Sequence, residues 1–97
     1  MPKGDTTMAN KTTIMAAIER KVGDRYSLYR IGLTHDVGER KKYWKETEKE
    51  NVDCWADWEA DSLENAQDIE AHFISNGMKG GTGGDLSSRK TVYVYVF

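Results

Sequence analysis

An α/β (α+β) fold, in which a small three-stranded sheet packs with about three helices, is what this sequence predicts, and three observations predict it. Segments with an apolar repeat of three to four residues alternate with short runs of β-branched and aromatic residues, in the order helix, strand, helix, strand, helix, strand. The 97 residues suffice for one domain with one core and are too few for two. One of the strands carries a row of Asp and Glu on one side, which argues against helices covering both faces of the sheet completely.

Taken in order, residues 1 to 9 mix Pro, Lys, Gly, Asp and Thr without period and are expected to form a flexible tail, leaving 10 to 97 as the single domain. Asn10 is placed to cap a helix in which Ile14, Ile18 and Val22 recur every four residues, and Gly23 stops it. "RYSLYRIGLT" reads as the first strand, and Asp36 as the cap of a second helix running to about Glu50. "VDCWADWEA" sets Val52, Cys54, Ala56, Trp58 and Ala60 on one side and Asp53, Asp57 and Glu59 on the other, with Trp55 as the exception, and reads as the second strand. Asp61 and Glu64 have the spacing of a capping box, after which "SLENAQDIEAHFISNG" keeps a helical period until Gly77. "GMKGGTGGDLSS" predicts a flexible loop. "TVYVYVF", with Val on one side and Tyr or Phe on the other, is apolar on both faces and predicts a central strand.

Composition excludes several classes. At 38% hydrophobic and 31% charged the chain reads as a soluble globular domain rather than a disordered or membrane-spanning one. The N-terminus lacks the apolar segment of a secretory signal, which predicts a cytoplasmic protein with no membrane association. The lone Cys54 has no partner for an internal disulfide or a Cys-based zinc site, in keeping with a reducing compartment. The net charge of −2 is unevenly spread: residues 1 to 45 hold ten Lys and Arg against five acids, and residues 46 to 97 hold four against eleven. A basic face that attracts phosphate is therefore compatible with an acidic whole.

Two charged residues fall where apolar ones belong. On the third helix Leu63, Ala66, Ile69, Phe73 and Ile74 span one apolar arc, and Glu70 projects from inside it. On the second helix Arg40 lies on the side of Val37 and Trp44, with Lys41, Lys42 and Lys45 elsewhere. A carboxylate aimed at a core costs several kcal/mol, on the order of what desolvation charges, unless it is paired, holds a metal or opens into a cleft. Periodicity alone leaves a structural Arg40–Glu70 ion pair and a functional cleft equally open.

At these residues the chain resembles a known family. "YRIGLTHDVGER" is similar to the second signature of GIY-YIG nucleases, a strand ending in Tyr-Ile-Gly followed eight residues after the Gly by an Arg; here these are Gly32 and Arg40. "AQDIEAHFI" resembles the family helix whose Glu binds a divalent metal, which implies that role for Glu70. The chain departs from the pattern in four ways, one being that the family's late Asn has no clear counterpart. Arg30 stands where the signature has Tyr, Tyr29 beside it faces the other way along a strand, and Trp44 stands where a His is often found. The first signature strand is absent upstream, and one rearrangement restores the architecture: the C-terminal "VYVYVF" takes its place in a permuted GIY-YIG-like core. Tyr93 or Tyr95 would then stand near Arg40 and Glu70, and the C-terminal strand would pair directly with residues 26 to 34.

The resemblance implies metal-dependent cleavage of a nucleic-acid backbone, with DNA as the expected partner and Mg²⁺ as the expected ion. Glu70 would hold the ion, a Tyr (Tyr29, Tyr93 or Tyr95) would help activate the attacking water, and Arg40 would neutralise charge building on the phosphate. Arg30, Lys41, Lys42 and Lys45 would contact the backbone and Trp55 would stack an unpaired base, with a protein partner supplying specificity. The plainer readings stand beside these. The three lysines fit a solvated helix face, Trp44 and Trp58 fit a core, His35 fits a surface turn, and His72 has no spaced ligand partner. The glycine-rich loop lacks the Gly-Lys-Ser/Thr ending of a phosphate-binding loop. The rival functions are a non-catalytic nucleic-acid-binding module on the same scaffold and a protein-interaction domain.

Overall fold

The computed structural model describes residues 10–80 and 86–97; the expected tail and the middle of the glycine-rich loop lie outside them. Helix α1 (Lys11–Val22) starts at Asn10, whose side chain accepts a hydrogen bond from the Thr13 N–H at 2.8 Å, and ends where Gly23 adopts a φ of 62°. Ile14, Ile18 and Val22 are its buried residues. A short 3₁₀ turn over Tyr26–Leu28 follows, so strand β1 (Arg30–Thr34) begins later than its aromatic-rich sequence implied.

Helix α2 (Val37–Lys42) is capped by Asp36, which accepts from the Glu39 N–H at 3.0 Å. Instead of running on to Glu50 it widens into a π-helical turn, Tyr43–Thr47, which turns Trp44 into the interior. Strand β2 (Ala56–Glu59) is shorter than the alternating run. A turn closed by the Trp55 N–H on the Val52 carbonyl leaves Cys54 exposed and sends Val52 to a different cluster from Ala60. Helix α3 (Leu63–Ser75) is capped by Ser62 rather than Asp61: the Ser62 hydroxyl accepts from the Asn65 N–H, while Asp61 takes the Asn65 side-chain amide. Ile74, expected inside its apolar arc, is 41% exposed.

Among the described residues the sheet has four strands, not three. The fourth is β3 (Lys79–Gly80), a two-residue strand at the start of the segment expected to be loop, and it pairs parallel to β1 at Arg30 and Ile31. The order is β2-β4-β1-β3, with β4 (Tyr93–Val96) antiparallel to both β1 and β2. The C-terminal strand is thus central, as its two apolar faces predicted. It pairs directly with β1, Ile31 opposite Val96, Gly32 opposite Tyr95, Leu33 opposite Val94 and Thr34 opposite Tyr93.

Strand alternation then sorts two cores onto opposite faces. On one, Ile31, Leu33, Val94 and Val96 meet Ile14 and Ile18 of α1 and Ala66, Ile69 and Phe73 of α3. Each large side chain buried there contributes about 1.5–3 kcal/mol relative to exposure. On the other, Tyr95 packs with Trp44 and Val52, flanked by Tyr43, Trp55 and Phe97. Among the described residues no helix is long and apolar enough to cross a membrane.

Candidate functional site

The second face brings Arg40 to Tyr95, where the charge of Glu70 from α3 is also felt. Its centre is Tyr95, wholly enclosed, whose ring lies across Gly32 of the neighbouring strand. A Cβ at Gly32 would fall on the Tyr95 hydroxyl and its ring carbon, so this position admits only glycine without displacing the ring. Below the ring, Trp55 stacks in parallel at 4.7 Å and 8°.

The Tyr95 hydroxyl accepts a hydrogen bond from the Trp44 indole N–H at 2.9 Å, and the Arg40 guanidinium acts on the same oxygen as a charge and as a donor. The Arg40 guanidinium also lies over the Tyr43 ring, 5.6 Å from its centre. Burial raises the Tyr95 pKa above the usual phenol value; the Trp44 and Arg40 bonds and the Arg40 charge pull it down, and the charge of Glu70 pushes it up. Tyr95 is therefore protonated at neutral pH. Glu70 is half-buried on α3, one turn before Ile74, which packs against Gly80 of β3. Burial lifts its carboxyl pKa. Arg40 and Glu70 both act on the Tyr95 phenol, with opposite sign.

Other singled-out residues lie variously near and far. Tyr93 is half-buried on the same strand face as Tyr95, opposite Thr34 and Glu59. Tyr29 packs against the aliphatic core, with the Lys21 ammonium 6.0 Å above its ring. Arg30, in the place of the signature tyrosine, stacks 4.6 Å over the Trp44 ring and donates to the Gly80 carbonyl. Trp55 commits one ring face to Tyr95 and Phe97 and its N–H to Asp57 at 2.9 Å. Lys41, Lys42 and Lys45 are exposed and line a pocket of about 440 Å³ together with Val52 and the acids Glu46 and Asp53.

Two participants escaped the sequence reading. Trp44 looked like core alone; it is core, and its one polar atom holds the Tyr95 hydroxyl. His35, expected at the surface, ties the end of β1 to the segment that leads into β4: Nδ1 donates to the Thr91 carbonyl at 2.8 Å and Nε2 accepts from the Ser87 N–H at 2.9 Å. Neither role follows from local pattern, because each partner is more than fifty residues away. His72 is exposed on α3, beside Asn76.

Among the described residues no group of three or more His, Cys, Asp and Glu is placed to hold a metal ion. A cation beside Glu70 would relieve the burial of its carboxylate. Comparison of the chain with protein-family models, with curated proteins and with solved structures finds no match.

Proposed function

We propose that this domain is a metal-dependent phosphodiester-cleaving domain of GIY-YIG-like architecture, permuted so that the C-terminal strand stands in for the first signature strand. The observation that carries the reading is the meeting at Tyr95. A tyrosine from β4, paired across Gly32 and held by the Trp44 indole, is acted on by the Arg40 guanidinium and by the charge of Glu70. The expected pairing of the C-terminal strand with residues 26 to 34 supports the same reading.

In this reading Arg40 and Glu70, both half-buried, face the substrate. Arg40 meets the non-bridging phosphate oxygens and offsets the charge that grows on them as water attacks. Glu70 would hold the divalent ion, expected to be Mg²⁺, with the substrate phosphate completing the coordination. The ion would supply Lewis-acid stabilisation of the leaving oxygen. Tyr95 is enclosed and protonated, so it serves as a positioning residue that orients the Arg40 guanidinium; the half-buried Tyr93 remains available to the attacking water. The pocket lined by Lys41, Lys42 and Lys45 accepts the flanking backbone, with DNA as the expected substrate.

One observation favours a second reading. A tyrosine sealed from solvent suits a scaffold that binds a nucleic-acid backbone without cutting it. Nicking of supercoiled plasmid with Mg²⁺ or Mn²⁺ separates the two. Cleavage that a chelator and Glu70→Ala both abolish establishes the nuclease. Absence of cleavage by folded protein that still shifts DNA in a gel, with Lys41→Ala/Lys42→Ala weakening the shift, establishes the binding module.

A further inference from the structure

We propose that Trp44 is the positioning residue of this site: its indole N–H fills one acceptor direction of the Tyr95 hydroxyl, leaves the other for Arg40, and thereby sets where that guanidinium points. The consequence for catalysis rests on the phosphodiester reading, whereas the positioning rests on geometry alone.

An indole N–H and a guanidinium can only donate, so both bonds use the Tyr95 oxygen as acceptor and the phenolic proton goes to neither. A hydroxyl oxygen has two acceptor directions. With the Trp44 bond in place, one remains for Arg40; without it the hydroxyl can rotate and Arg40 loses its fixed partner. The rest of the face holds this arrangement still. The ring of Tyr95 is set by the missing Cβ of Gly32 on one side and by the Trp55 stack on the other.

Trp44 is held as firmly. It lies in the π-helical turn that follows α2 and is 3% exposed. The Arg30 guanidinium stacks on the Trp44 ring and is itself anchored to the Gly80 carbonyl. The Arg that replaces the signature tyrosine and the Trp that replaces the family histidine thus touch each other, and together they support one hydrogen bond. A buried indole N–H needs an acceptor in any case; what marks this one is that its acceptor is the phenol on which Arg40 also acts.

Trp44→Phe and Trp44→His test this, because both remove much of the indole volume and only His keeps a ring N–H. The first readout needs no activity: the Tyr95 phenol is titrated upward from neutral pH by the ¹³Cζ shift of labelled tyrosine, assigned with Tyr95→Phe. Trp44→Phe is expected to move the Tyr95 midpoint up, and Trp44→His to keep it nearer the wild type. Plasmid nicking by Trp44→Phe is expected to lose about tenfold in kcat at little change in KM, the scale of losing an orienting partner, with partial recovery in Trp44→His. The same bond is visible from its other end, since Tyr95→Phe should shift the Trp44 indole N–H resonance and speed its exchange. Equal behaviour of the two Trp44 variants, or an unmoved indole resonance in Tyr95→Phe, would overturn the proposal. A wild type that does not nick DNA would overturn the phosphodiester reading and leave the titration and resonance comparisons standing.

Discussion

The two faces of the sheet are built on different physics. The face under α1 and α3 is closed by aliphatic groups and Phe73, whose only demand is volume. The face under the π-helical turn is closed by Tyr95, Trp44, Val52 and partly buried aromatics, and it contains polar atoms that must each find a partner. A dispersive core tolerates rearrangement and a hydrogen-bonded one does not, so the second face holds its groups in a single geometry at the cost of burying them. That is the difference expected between a foundation and a site.

The largest change should come from the foundation. Phe73, fully buried on α3, leaves a large void when cut to Ala, and Phe73→Ala should cost about 3–5 kcal/mol in a urea melt. If the faces are independent, the Tyr95 titration in the folded variant stays where it was; a shifted midpoint would show that they are one unit.

Gly32→Ala attacks the second face directly. The new methyl lands on the Tyr95 hydroxyl, so the ring must move and the Trp44 bond must lengthen or break. About 1–3 kcal/mol of stability should go, together with most of any nicking activity. A variant as stable and as active as the wild type would mean that Tyr95 is not held by its neighbour.

The smallest effect is the most diagnostic. Because burial raises the Glu70 pKa in the fold above its ordinary 4.5, the fold prefers the neutral carboxyl. That preference stabilises fully below the ordinary value and is lost as pH rises through the folded one. Glu70→Gln, which stays neutral, should therefore gain in urea midpoint relative to the wild type between acid and neutral pH, while losing any nicking. A gap that does not grow across that range would remove the case for Glu70 as a carboxylate kept for function against stability.

Local periodicity was enough for much of this architecture. The repeat of Ile14, Ile18 and Val22, the cap at Asn10, the helical period after Ser62 and the two apolar sides of the last strand each report on neighbours within a few residues, and the structure carries all of them. Arg40 and Glu70 also stood out locally, because a charge on an apolar arc is visible from spacing alone. Tertiary structure decided what those charges meet. The site depends on Gly32 lying opposite Tyr95, on Trp44 reaching a hydroxyl fifty-one positions away, and on a two-residue β3 that no period could announce. Strand register and the widening of α2 into a π-helical turn are settled by long-range packing and hydrogen bonding. A side chain's identity states what it can donate or accept, and only the fold supplies the partner.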